Sequence, residues 1–175
     1  MSNHGHRPDG EGQDRGQRAN LVDLYEKMSK ILRDNLERAG MLTEEAFERA
    51  LNESREWAYK LKENYGNDIG KVAEFIRRDW HEAIRFTRER TRQSLDLDRL
   101  QAGLLDLLSR LAKSAGSQLE SFASKLQERL TYKTGEIAGA GTLECTVCGQ
   151  ELFFDKPTRI PPCPKCHGTD FTRRY

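Results

Sequence analysis

The chain has 175 residues, 33% of them charged, with Lys plus Arg outnumbering Asp plus Glu by 29 to 28. Charge at that density, against a usual ~25%, suits slender helices around a thin core, and a net charge of +1 leaves no global basic field to attract nucleic acid. No apolar run approaches the ~18 residues that a bilayer crossing requires, and the polar, Gly-containing first residues lack the apolar centre of a secretion signal, so a cytoplasmic protein without membrane segments is expected.

Residues 1–19 carry Gly5, Gly10, Gly12 and Gly16 among charged and polar side chains. Little there can be buried to offset the entropy of ordering, and a disordered tail is expected. His4 and His6 form a His-x-His with no fixed third ligand, which is a poor metal site.

From Leu21 the apolar positions Tyr25, Met28, Leu32, Leu36 and Ala39 follow the spacing that lays one stripe on a helix, and Gly40 ends it. Thr43 is placed as an N-cap ahead of Glu44 and Glu45, opening a second amphipathic helix through Phe47, Leu51, Trp57, Ala58, Leu61 and Tyr65 to Gly66. Asn67 or Asp68 caps a third, with the stripe Ile69, Val72, Ile76, Trp80, Ala83, Ile84 and Thr87 and an Arg-rich end. A fourth stretch is expected from Leu97 through Leu100, Leu104, Leu108, Leu111, Ala115, Leu119, Phe122 and Leu126 to Leu130, weakened or bent at Gly116. Trp57 and Trp80 lie on the stripes and are expected as core anchors.

Gly-terminated connections of this kind predict antiparallel neighbours. Residues 20–133 are therefore read as a helical hairpin, bundle or coiled coil, in which some stripes could be covered by a second copy of the chain. Residues 134–142, rich in glycine, read as a hinge.

All four cysteines of the chain lie in two C-x-x-C pairs, Cys145/Cys148 and Cys163/Cys166, with about 14 residues between the pairs. A two-residue gap lets both sulfurs of a pair reach one ion, so the set suits a single tetrahedral zinc. In a reducing cytoplasm this outranks a disulfide reading. Short strands are expected at 142–144, 151–154 and 170–172, framing two metal-binding knuckles, so residues 143–175 read as a small β zinc ribbon whose folding depends on its metal. Gly149 follows the first pair, where positive φ turns backbone N–H groups toward sulfur. His167 stands at the corresponding point of the second, and His enters the left-handed region more readily than most residues; its alternative role, replacing a thiolate as ligand, has no vacancy to fill.

Tyr132, Gly135, Glu136, Ile137, Gly139, Gly141, Leu143, the four cysteines, Pro164, Phe171 and Arg173 together resemble the C-terminal block of an uncharacterised family of bacterial zinc-ribbon-containing proteins. The resemblance spans Tyr132 to Tyr175; upstream it is a shared layout of charged amphipathic helices. It implies a bacterial cytoplasmic protein with a four-cysteine zinc site and no established activity. The family's usual glycine after the last cysteine is His167 here.

Four thiolates on one ion leave no position for water or substrate, which favours a non-enzymatic interaction module with a structural zinc and a protein partner or self-association. Nucleic acid is a narrower alternative, resting on Arg77, Arg78, Arg85, Arg88, Arg90 and Arg92 and on Arg173, Arg174 and Tyr175; Asp79, Glu82 and Glu89, interleaved with the first group, are expected to pair with it. A rubredoxin-like iron in the same cysteines is a further alternative. A di-iron bundle is excluded, because it requires Glu-x-x-His and the residue three before His81 is Arg78. No phosphate loop, nucleophile elbow or metalloprotease motif occurs.

Overall fold

A computed structural model describes residues 11–61, 65–91 and 130–174. Its elements are the helices α1 (Glu11–Ala39), α2 (Glu44–Lys60) and α3 (Asp68–Thr91), then the strands β1 (Thr131–Lys133), β2 (Ile137–Ala138), β3 (Gly141–Cys145), β4 (Glu151–Phe154), β5 (Thr158–Arg159) and β6 (Asp170–Arg174).

The first helix begins ten positions before Leu21, at Glu11, inside the span expected to be a disordered tail. Glu11, Gln13, Arg15, Gln17, Arg18 and Ala19 are good helix formers, and extending a helix already nucleated downstream costs far less than starting one. Its end follows expectation: Gly40 adopts φ 63° and its N–H donates to the Leu36 carbonyl at 3.1 Å, closing the helix with a left-handed residue.

Thr43 caps α2 as anticipated, its hydroxyl accepting from the Ala46 N–H at 3.1 Å, an arrangement worth about 1 kcal/mol. The helix stops at Lys60, with Leu61 in an extended conformation. It was expected to run to Tyr65, which is instead buried outside it. The stretch expected from Leu97 onward lies outside the described residues as far as position 129, as do His4 and His6.

Leu24, Met28, Leu32 and Leu36 of α1 meet Phe47 and Leu51 of α2 and Val72, Ile76, Trp80 and Ile84 of α3 in one apolar cluster. Each fully buried side chain of this size contributes about 1.5–3 kcal/mol of transfer free energy. These stripes are covered within a single chain. Trp80 sits in the core, and Trp57 packs against its edge half-buried.

All strand pairs are antiparallel, in a four-stranded sheet of order β1-β6-β3-β4 and a two-stranded sheet β2-β5. Three strands were expected, and the described residues contain six. Alternation directs Tyr132, Leu143, Leu152 and Phe171 inward onto Ile160 and Cys163. The sheet starts at Thr131, within the span read as helical, because Tyr132 opposite Phe171 supplies the largest side chain of this second core.

The span read as a hinge carries β2. Its two residues face opposite ways: Ile137 enters the helical core and Ala138 the sheet core, both wholly buried. A strand's two faces thus serve two cores at once, and Gly139 and Gly141 after it fit close contacts rather than supplying slack.

Candidate metal centre

Two similar turns build the centre. In the first, the Cys145 N–H donates to the Gln150 carbonyl and the Gly149 N–H to the Cys145 carbonyl, each at 2.9 Å. In the second, the Cys163 N–H donates to Gly168 and the His167 N–H to Cys163, again at 2.9 Å. Gly149 and His167 are therefore equivalent positions, and both are left-handed, at φ 70° and 58°. His167 meets the backbone demand of a glycine position while its side chain stays exposed.

The four Sγ atoms of Cys145, Cys148, Cys163 and Cys166 all lie within 4.8 Å of one another. The Cys145–Cys166 and Cys148–Cys163 separations are 3.6 Å. A tetrahedron with zinc–sulfur bonds of about 2.3 Å has edges of about 3.8 Å, so the residues fit such an ion. The same separations are far from the ~2.05 Å of a disulfide, and all four cysteines are free thiols. Gly168 closes the cluster: its N–H donates to Cys166 Sγ at 3.4 Å, and a Cβ there would lie 3.2 Å from both Cys145 Sγ and Cys166 Sγ.

Burial pushes the Cys163 thiol up, but hydrogen bonds from the Cys166 and Lys165 backbone outweigh it and bring it down to about 7. For Cys166 the Gly168 N–H favours the thiolate, yet the neighbouring sulfurs of Cys148, Cys145 and Cys163, together with burial, hold the thiol up at about 12. The sulfurs compete for negative charge, and a bound divalent cation removes that competition.

The arginines proposed as a nucleic-acid surface have other partners. Arg77 spans Glu48 and Glu74, Arg85 pairs with buried Glu82 at 2.7 Å, and Arg78 bonds Glu136 and the Ile137 carbonyl. Arg173 is buried rather than displayed, because it follows Phe171 by two residues and points to the same inner face of β6. Its Nε donates to Tyr132 Oη at 3.0 Å, and its two Nη atoms donate to the Ala140 and Gly139 carbonyls at 2.8 and 3.1 Å. Arg174 pairs with Glu144. The side chains of Arg88 and Arg90, and the whole of Arg92 and Tyr175, lie outside the described residues.

Sequence reasoning missed the group that joins helices to ribbon: Tyr25, Arg78, Asp79, Gly139 and Arg173. Asp79 accepts hydrogen bonds from Tyr25 Oη and the Gly139 N–H, both at 2.6 Å. Arg173 Nη2 stands 3.5 Å from the same oxygen, and Arg78 Nε lies 3.5 Å from the other. A signal existed, since Asp79 falls three residues after Ile76 and four before Ala83, a carboxylate set into an apolar stripe. Reading it only as a counter-charge for neighbouring arginines concealed this.

No helix among the described residues is long and apolar enough to cross a membrane. A family profile described as a zinc-ribbon containing domain matches residues 34–175. An uncharacterised protein, YbeL, from three Escherichia coli strains is in each case 24% identical over 155 residues, covering 87% of this chain and 92% of the relative. No solved structure matches the chain.

Proposed function

Because the chain belongs to the zinc-ribbon containing domain family, we propose that it is a non-enzymatic adaptor of the bacterial cytoplasm, with one structural zinc held by Cys145, Cys148, Cys163 and Cys166 and a protein as its partner. The observation that carries this reading is the closed set of four sulfurs. Such a set fills a tetrahedral ion and leaves no position for a substrate or an activated water. When bound, the ion supplies folding free energy and a fixed geometry for the two knuckles.

What the knuckles hold outward also supports it. Val147, in the first knuckle, and Phe153, on the edge strand β4, are 71% and 70% exposed. Large apolar side chains displayed on a rigid scaffold suit contact with another protein. The helical region, read as a bundle or coiled coil, contributes a second surface for that partner or for a second copy. Nucleic acid is disfavoured because Arg77, Arg78, Arg85, Arg173 and Arg174 are engaged with carboxylates or backbone carbonyls.

The test is affinity purification of the full chain from its native host beside a Val147→Ser, Phe153→Ser double variant. A reproducible protein partner that the variant loses is the expected result. Equal capture by both, or retention of nucleic acid in place of protein, would contradict the reading. A visible absorption band in the same preparation would assign iron rather than zinc to the thiolates.

A further inference from the structure

We propose that the ribbon is a metal-dependent latch on the helical domain, with Arg173 as the bolt and Asp79 as the catch. The inference rests on the reading that the four cysteines hold a metal, and extends it to what metal occupancy does elsewhere in the chain.

Asp79 is 5% exposed and the Arg173 side chain 6%. A carboxylate so buried needs compensation for its lost hydration. It receives Tyr25 Oη from α1, the Gly139 N–H from the segment after β2, and the charge of Arg173 from β6. Arg78 adds a second guanidinium, which also covers the Tyr132 ring 3.8 Å from its centroid. Two of these contributors, Gly139 and Arg173, belong to the C-terminal part, as does the Tyr132 ring beneath Arg78, so the catch is complete only when that part is folded.

The position of Arg173 depends in turn on the cysteines. β6 begins four residues after Cys166 and pairs with β3 so that Phe171 stands opposite Cys145 and Arg173 opposite Leu143. β6 is therefore anchored at one end by the second knuckle and along its length by the strand that leads into the first. A sheet this small lacks the buried area to persist alone. Loss of metal frees β6, withdraws Arg173 and leaves Asp79 short of a cation inside the α1–α3 contact. The helices loosen as a consequence, at Tyr25 and Asp79 first. The α1–α2 contact, which lacks these residues, is affected least.

The experiment uses the full chain. Metal content, far-UV melting of the helical signal and amide hydrogen exchange are measured before and after chelation, in the wild type and in an Asp79→Asn, Arg173→Met double variant. The expected wild-type result is release of the metal, a fall of roughly 10 °C in the helical midpoint, and faster exchange at Gly139 and around Tyr25 and Asp79, with Glu44–Lys60 little changed. In the double variant the shift caused by chelation falls to less than half. Metal release without any helical response overturns the latch and leaves the metal site standing, as does an equal shift in both proteins. Protein purified without metal overturns the metal reading and the latch with it. Should the double variant fail to fold, the wild-type exchange pattern decides alone: protection lost uniformly across all three helices would contradict the proposal.

Discussion

Asp79 and Gly139 lie sixty positions apart in the chain and 2.6 Å apart in space, the carboxylate of α3 accepting the N–H of the segment after β2. That approach is possible because position 139 has no side chain: a Cβ there would stand 2.9 Å from Tyr25 Oη and 3.1 Å from Asp79 Oδ2.

Gly139→Ala is therefore expected to destabilise the chain by about 1–3 kcal/mol, the usual cost of overpacking a rigid site. Equilibrium denaturation followed by helical circular dichroism would measure it, and an unchanged midpoint would mean the junction is slack. Gly141→Ala should act in the same direction, since its Cβ would meet Arg173 Nη1 at 2.6 Å at a φ of 138°.

Gly70 provides the opposite sign. It lies within α3, and a Cβ there meets nothing within 4 Å. Gly70→Ala should stabilise by about 0.5–1 kcal/mol through helix propensity and a less disordered unfolded chain. A lowered midpoint in the same measurement would contradict the placement of α3.

The local features were the legible part of the sequence. Thr43, Gly40 and the Leu32–Leu36 stripe act through residues within a few positions of themselves, and their outcome was readable from spacing. The cysteine pairs were equally plain, because a two-residue gap is a local property of each turn. What spacing could not show was long-range pairing. Ile137 and Ala138 sit among glycines that read as a linker, and only the arrival of Asp79, Tyr25 and Arg173 from distant elements explains why Gly139 and Gly141 must be small. Arg173 misled for the same reason: near the C-terminus it reads as a free cation, whereas its register opposite Leu143 turns it inward.

His167 supplies a discriminating substitution. Its φ of 58° is the left-handed conformation that Gly149 adopts in the other knuckle. His167→Gly should keep the metal and stabilise the ribbon by up to about 1 kcal/mol. Metal competition with a chromogenic chelator would check this, and a collapse of affinity would show that the imidazole, not the backbone, is what matters there. His167→Val should weaken the site, because a β-branched residue resists that conformation.

Alkaline pH probes the junction. Burial, then the charge of Asp79 and its hydrogen bond, raise the Tyr25 hydroxyl well above its ordinary value of 10.0. The folded chain thus keeps this proton where the unfolded chain loses it. The associated stability is fully present below pH 10 and declines as pH rises beyond that. Phenolate absorbance for Tyr25 should appear only together with loss of helical signal, and Tyr25→Phe should remove one residue's worth of that late amplitude. Ionisation of Tyr25 at its ordinary value in a chain still helical would contradict its burial against Asp79.

The most direct measurement is the metal itself: elemental analysis of the purified chain combined with X-ray absorption at the metal edge. One zinc per chain, surrounded by four sulfurs at about 2.3 Å and lost from a Cys163→Ser variant, is the predicted result. A chain that purifies without a tightly held metal, or a metal shell containing nitrogen or oxygen ligands, would contradict the account.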